Sequence, residues 1–139
     1  MKKALLTLVV LSGLIVPSFA QSNSTAEVET ALQEFLGEYS VSAYNFFKNR
    51  LTDDFRYSNG SGFSTRESVL KNNEGGKGVQ SSVSDLKIFR SGDLAVVSGI
   101  HHYGTAQIYF TYTMLKQVVN GSPKWMFAAS QHTAQKAQK

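Results

Sequence analysis

The sequence predicts an α+β domain, with helices packed on one face of an antiparallel sheet. Three observations lead there. Apolar residues recur every three or four positions between Val28 and Leu51, the period of a helix with one buried face. From Val83 onward the apolar period changes to two, as in half-buried strands. Helices followed by a run of strands, rather than alternating with them, gather on one side of an antiparallel meander. The length of 139 residues suits one domain, and 42% apolar residues are enough for a core. No internal repeat or linker interrupts the chain.

The chain opens with an address. Met1-Lys2-Lys3 is a short basic start, Ala4 to Val16 is an apolar run of 13 residues, Pro17 breaks it, and Ser18-Phe19-Ala20 has the form of a cleavage site. This is the layout of a secretory signal peptide over 1–20, cleaved after Ala20. The run falls short of the roughly 20 residues that a membrane-spanning helix needs, so no stable membrane anchor is expected. With no Cys, a lipid-modified Cys, a disulfide framework and thiolate metal or redox chemistry are all excluded. Removal of Lys2 and Lys3 leaves 12 Lys and Arg against 10 Asp and Glu, a net charge of +2. Lys136 and Lys139 lie in a polar tail over 135–139, leaving a single domain over 21–134. No clustered basic face remains of the kind that nucleic-acid binders show, and no nucleic-acid partner is expected.

Each element has its own signal. Ser24-Thr25-Ala26-Glu27 is a capping box, in which the Ser hydroxyl takes a free backbone N–H and the Glu reaches back. Val28, Ala31, Leu32, Phe35, Leu36 and Tyr39 form one helical face, weakened near its end by Gly37 and Ser40. A second helix carries Val41, Tyr44, Phe47 and Leu51 on one side and stops near Asp53-Asp54, whose carboxylates bond backbone groups as at turns. Phe55-Arg56-Tyr57 reads as a short strand before the turn Asn59-Gly60-Ser61-Gly62. Ser64-Thr65-Arg66-Glu67 is a second capping box, opening a short helix through Val69 and Leu70. Asn72 to Gly78 is a Gly-rich loop. Its Gly76-Lys77-Gly78 is not a phosphate loop, because Lys71 stands where the leading Gly belongs and Gly78 replaces the Ser or Thr. Four strands follow over 83–90, 94–103, 108–119 and 124–132, with turns at Ser91-Gly92-Asp93, Gly104-Thr105 and Asn120-Gly121-Ser122-Pro123.

Strand parity selects the face that holds the chemistry. Ile108, Phe110, Tyr112 and Met114 point one way, and Tyr109, Thr111, Thr113 and Gln117 the other. The heavier apolar set is placed against the helices. A four-residue closure at 120–123 pairs Val119 with Lys124, which puts Met114 opposite Ala129 and Tyr112 opposite Gln131. Gln131 then lies inside, and Ser130 and His132 lie outside with Thr111 and Thr113. His101 and His102 must take opposite faces. Shared parity with Leu94, Val96, Ser98 and Ile100 places His102 inside on bulk, which requires an odd loop or a bulge near Gly104. A strict two-residue turn at Gly104-Thr105 would instead set His102 opposite Gln107 on the outer face. Adjacent strand histidines cannot share one metal, and no Asp or Glu lies near them among the strands. No metal site and no cofactor are expected.

Four stretches together resemble the nuclear transport factor 2-like superfamily, in particular its SnoaL-like and domain-of-unknown-function 4440 branches. They are Leu51-Thr52-Asp53-Asp54-Phe55, Gly62-Phe63-Ser64-Thr65-Arg66-Glu67, Ser91-Gly92-Asp93-Leu94-Ala95-Val96-Val97-Ser98-Gly99 and Asn120-Gly121-Ser122-Pro123-Lys124-Trp125. Their order and spacing carry the resemblance, which covers about residues 25–133. It implies a cone in which N-terminal helices pack on a curved antiparallel sheet, with a cavity at the open end, and often a homodimer. The superfamily holds enzymes and non-enzymes, so the fold does not settle activity. Ketosteroid isomerases of this type use an Asp base, with a Tyr and a protonated Asp around the enolate oxygen. The matching positions here hold Asn59, Phe35 and Thr111 to Thr113, none of which supplies the needed group. A dehydratase-like site would pair His102 with Tyr57 or Tyr112.

The expectation is an exported protein, periplasmic or secreted, that holds a small and largely apolar ligand in its cone. The expected ligand-binding residues are Phe35, Tyr57, Asn59, His102, Tyr112, Met114, Trp125 and Gln131, apolar walls with a few convergent polar groups. A homodimer is expected through the outer sheet face at Tyr109, Thr111, Thr113 and Ser130. One alternative is a lyase or isomerase-type enzyme with His102 as its catalytic group, and another is a structural or partner-binding domain with a filled cone. The signal layout has a direct test. N-terminal sequencing of periplasmic material should begin at Gln21, and material beginning at Met1 would refute cleavage after Ala20.

Overall fold

The structure is a computed structural model that describes residues 24–134. The signal segment over 1–20, its cleavage point and the tail over 135–139 lie outside the described residues. The elements run α1 (Ala26–Val41), α2 (Ala43–Arg50), β1 (Leu51–Asn59), β2 (Gly62–Thr65), α3 (Arg66–Asn72), β3 (Ser82–Ser91), β4 (Leu94–Tyr103), β5 (Ala106–Val119) and β6 (Ser122–Ala134). The strands form one six-stranded sheet in the order β2-β1-β6-β5-β4-β3. The α+β class and the order of helices before the meander are those the sequence predicts. The sheet is mixed, however, rather than wholly antiparallel. The last strand returns to the middle, between the β1–β2 hairpin and β5, and there β1 and β6 run parallel.

The helical stripe of α1 buries Val28, Ala31, Leu32 and Phe35, as its spacing requires. In α2 the buried side is Ala43, Phe46 and Arg50; of the expected Val41, Tyr44, Phe47 and Leu51 line, Leu51 is buried as the first residue of β1 and Phe47 packs partly buried against the core, while Val41 is 80% exposed. The cause is Ser42, which stands in extended conformation between the helices and accepts the Asn45 N–H on its hydroxyl. That cap starts a new helix with its own phase. Asp53 and Asp54 do not end α2, which stops at Arg50. They are exposed in β1, where its register against β6 shifts between Leu51 and Arg56. The Gly62-Phe63-Ser64-Thr65 stretch, expected as turn and cap, pairs with β1 as the edge strand β2.

Neither capping box closes in full: the Ser24 hydroxyl accepts the Ala26 N–H at 3.4 Å as expected, but Glu27 does not reach back. The N-cap of α1 is Thr25, whose hydroxyl donates to Glu29 instead of holding a backbone group. Glu27 reaches away from the helix end, pairing with Arg90 at 3.0 Å and with Lys116. The Lys116 hydrogen bond holds its carboxyl below the usual range. Arg90 also donates to the Ser24 carbonyl at 2.8 Å and lies 5.3 Å from the Trp125 ring centre, so this cluster ties the start of α1 to the sheet. Near the other end of α1, the buried Arg50 donates through Nε to Glu38 at 2.8 Å and through Nη2 to its second oxygen. The fork stands over Phe35 and joins α2 to α1 with a bidentate charge-assisted pair. α3 is capped by Thr65, one residue later than the box implied, which accepts the Ser68 N–H at 3.3 Å.

The meander turns all contain two residues, with closing pairs Ser91–Leu94, Tyr103–Ala106 and Val119–Ser122. Asn120 and Gly121 both have positive φ, 52° and 78°, the signature of a type I′ hairpin. This closure replaces the expected four-residue one and sets Lys116 opposite Trp125 and Met114 opposite Phe127. A bulge then intervenes: Met114 pairs with Phe127 but Thr113 pairs with Ala129, leaving Ala128 as the extra residue. The bulge reverses parity for the rest of β6. Ser130 and His132 therefore face inward with Tyr112 and Phe110, and Gln131 faces outward with Thr111, the opposite of the expected arrangement. Among the described residues no helix is long and apolar enough to cross a membrane.

Candidate functional site

A cavity of about 500 Å³ lies between the helices and the inner sheet face. Its apolar part comes from α1, α2 and the facing strands. Phe35 packs on Phe127 with ring centres 4.7 Å apart, Tyr39 and Phe46 meet at 5.5 Å, and Phe46 meets Phe127 at 5.8 Å. These are the offset and edge-on arrangements that aromatic rings favour. No Asp, Glu, Lys or Arg is among the described residues that line it.

The polar part is an array of phenols and imidazoles on β1, β4, β5 and β6. The hydroxyls of Tyr103 and Tyr112 both converge on Nδ1 of His101, at 2.8 and 3.0 Å. The Tyr57 hydroxyl stands 3.4 Å from Nδ1 of His132 and also receives the Asn59 amide at 3.4 Å. The two imidazole rings are perpendicular, with centres 6.4 Å apart. Burial favours a neutral ring, and it lowers His101 to about 4, with smaller contributions from His132 and His102. Burial lowers His132 in the same direction. It also raises Tyr103 and Tyr112 above the usual phenol value, and nearby phenols add to the rise. All four groups are thus uncharged near neutral pH.

Three of the eight expected residues, Phe35, Tyr57 and Tyr112, line this cavity. Met114 and Trp125 face the helices but are sealed in the core, at 0% and 4% exposure. Asn59 is exposed at the β1–β2 turn, where it bonds the Tyr57 hydroxyl and the Ser61 N–H. Gln131 faces outward because of the Ala128 bulge. His102 is on the outer face too. The Gly104-Thr105 turn has two residues, with Gly104 at φ 60°, and it sets His102 opposite Gln107. There Nε2 of His102 meets the Ser84 hydroxyl at 2.8 Å. His102 and Tyr112 lie on opposite faces, so His102 is not a cavity residue.

The polar residues that line the cavity without having been expected include His101, Tyr103, Ser130 and His132 on the sheet, together with Tyr39 on α1, Ser64 on β2 and Asn72 and Asn73 at the end of α3. For His101 and Tyr103 the signal was present, because the strict two-residue turn gives both this parity. For Ser130 and His132 it was not, since their parity depends on a bulge that no residue announces. No group of three or more His, Cys, Asp or Glu that could hold a metal occurs among the described residues.

No family model matches the chain, and no curated protein matches it in sequence. Solved structures do match in shape. A nuclear transport factor 2-like protein from Cytophaga hutchinsonii is 19% identical and superposes with a TM-score of 0.68, over 82% of this chain and 100% of that one. One of unknown function from Pseudomonas putida is 14% identical, with a TM-score of 0.65 over 85% of this chain and 99% of that one. A protein of unknown function with a cystatin-like fold from Nostoc punctiforme is 13% identical, with a TM-score of 0.64 over 84% and 97%. At such identities the likeness is one of fold. The chain has the nuclear transport factor 2-like fold that its four sequence stretches resemble.

The buried histidines make stability depend on pH. An unfolded His titrates near 6.5, while folded His101 titrates near 4. Between these values the unfolded chain binds more protons, so stability rises with pH there and levels off above the unfolded value. His132 acts in the same direction. Glu27, already lowered from 4.5, exerts its effect at lower pH. The urea midpoint should therefore fall between pH 7 and pH 5, and His101→Gln should flatten the slope. A midpoint constant over that range would contradict the neutral, buried assignment.

Proposed function

We propose that this nuclear transport factor 2-like chain is an exported binding protein that holds a small, largely apolar molecule in its cone. The observation that carries this reading is the cavity, whose described lining is mostly aromatic and aliphatic, includes no charged side chain and adds a few neutral polar groups. Its volume is within the range of small-molecule sites. A general base is normally oriented by a second group, often a carboxylate. His101 has two phenols in that place, and its lowered basicity suits it poorly to taking protons. The signal layout of residues 1–20 supports export.

A fluorescence titration with N-phenyl-1-naphthylamine tests the binding reading. The dye should show saturable enhancement, and Ile108→Trp, which adds bulk to the cavity wall, should weaken it by roughly tenfold through overpacking. His102→Ala, on the outer face, should leave it unchanged. An unsaturable signal, or equal behaviour of the two variants, would refute the reading.

We further infer a homodimer through the outer sheet face. Tyr109, Thr111 and Thr113 remain on that face, and Ser130 leaves it because of the β6 bulge. Phe89 and Val96 join them in adjacent register positions, and Phe89 is 65% exposed. Aromatic groups mixed with small polar ones suit a non-obligate interface. Light scattering at tens of micromolar should give a dimer mass, and Phe89→Glu should give a monomer, since burying an unpaired charge is costly. A monomer for the unaltered protein would refute the interface.

A further inference from the structure

Gly37 stands inside α1, where glycine is the residue least favoured after proline. Its backbone is helical, so no left-handed conformation requires a glycine there. Beyond the helix's own backbone, no atom lies within 4 Å of the place its Cβ would take, so no close approach requires one either. Gly37 belongs to the stripe Gln33, Leu36, Gly37 and Ser40, spaced as one face of the helix. That face meets residues 80–83 across a surface groove of about 270 Å³. One end of the groove is fixed. The Val79 N–H donates to the Tyr39 carbonyl at 3.2 Å, and the Gly78 backbone lies too close to the Ser40 carbonyl for any Cβ to fit. The described lining is neutral, with Gln33, Ser40, Gln80 and Ser82 and no Asp, Glu, Lys or Arg. Amide and hydroxyl groups both donate and accept, as the hydroxyls of a ligand do. Leu36 and Val83, both half-buried, line the groove and the cone cavity alike, so the two spaces adjoin at this aliphatic pair.

We propose that the ligand is an uncharged amphiphile: its apolar chain fills the cone and passes between Leu36 and Val83, and its hydroxyl-bearing head lies in the groove over Gly37. The missing side chain at position 37 is then the space that the head occupies, which accounts for a glycine that the helix itself does not need. A charged head would meet no opposite charge in the described lining of either space. A wholly apolar molecule would make no use of the groove.

This assignment rests on the binding reading above, and displacement of bound N-phenyl-1-naphthylamine separates the two. The competitors share one chain and differ in the head: octyl β-glucoside, 1-octanol, octanoate and octyltrimethylammonium, each below its aggregation threshold. The glucoside should displace the dye at about fivefold lower concentration than octanol, the scale of one or two neutral hydrogen bonds, and at lower concentration than either ion. In the unaltered protein the backbone amide resonances of Gly37 and Ser82 should move with the glucoside and stay in place with octanol. Leucine is a strong helix former, so Gly37→Leu should fill the groove within an intact helix, abolishing the glucoside preference while octanol still displaces the dye. Gly37→Ala should raise the thermal midpoint, because alanine favours the helix and its Cβ meets nothing. A lower midpoint would show that the glycine serves the fold and would overturn the argument. Equal displacement by glucoside and octanol would overturn the head group and leave the binding reading standing. An ion as the tightest competitor would overturn the uncharged class. Unmoved Gly37 and Ser82 amides, or a glucoside preference that survives Gly37→Leu, would overturn the groove as its place. A dye signal that never saturates would overturn the assignment together with the binding reading.

Discussion

The two-residue turn at Gly104-Thr105 decides which polar groups of β4 and β5 enter the cavity. Gly104 has φ 60°, a conformation that glycine adopts without steric cost, and the turn closes directly on the Tyr103–Ala106 pair. From there ten residue pairs run without interruption to Leu94–Leu115. Parity along them sends His101, Gly99, Val97 and Ala95 inward with Ile108, Phe110, Tyr112 and Met114. The pairing sets large side chains against small ones: Phe110 opposes Gly99 and Met114 opposes Ala95. A Cβ on Gly99 would meet the Phe110 ring at 3.2 Å and the Leu86 side chain at 3.0 Å. Close packing of this kind penalises a register slip, because a shift of one residue would bring Ile100 and His102 into space that holds none for them.

The Ala128 bulge performs the complementary task on β6. Before it, Trp125 and Phe127 face the helices, Trp125 in the core and Phe127 between the core and the cavity's apolar wall. After it, Ser130 and His132 take the same face and belong to the polar corner. One extra residue thus lets a single strand supply core at one end and cavity wall at the other. The helices are held over this surface by charge as well as by apolar contact. Glu27 with Arg90 and Lys116 fixes the start of α1 to the sheet, and Arg50 with Glu38 ties α2 to the later part of α1. The loop after α3 presses on the same end of α1: a Cβ on Gly78 would fall 2.0 Å from the Ser40 carbonyl oxygen, and the Val79 N–H donates to the Tyr39 carbonyl. With α1 restrained at both ends, the aromatic residues between them form walls around a space.

What was legible in the sequence was whatever rests on local period and on turn chemistry. The α1 stripe, the positions of the four meander strands and the α+β order follow from side-chain spacing alone. Asn120-Gly121 is also a strong signal for a two-residue hairpin, and the adjoining Ser122-Pro123 concealed it by extending the turn-like composition. Two kinds of feature were not legible. A phase change such as the one at Ser42 looks like continued helical spacing, because Val41, Tyr44 and Phe47 remain three apart. A bulge changes no composition, since Ala128 and Ala129 are alike and either could be the extra residue. The site suffered most, because its residues lie beyond the bulge on β6 and next to the turn on β4. Bulk misled at His102, whose neighbours Val96 and Ile100 face the outer surface.

The electrostatics of the corner follow from that placement. Removing an imidazole from water disfavours its charged form, so His101 becomes a weak base. The same low-dielectric surroundings strengthen each hydrogen bond its neutral form makes. The phenols respond in the opposite sense in pKa and to the same end in charge. Burial raises Tyr103 and Tyr112, so each keeps its proton and remains a donor. Both hydroxyls lie within hydrogen-bond distance of Nδ1 of His101, which has one lone pair or one proton to share between them. A corner assembled this way stays uncharged near neutral pH and has little capacity to move a proton. That property originates in one glycine turn and one inserted alanine.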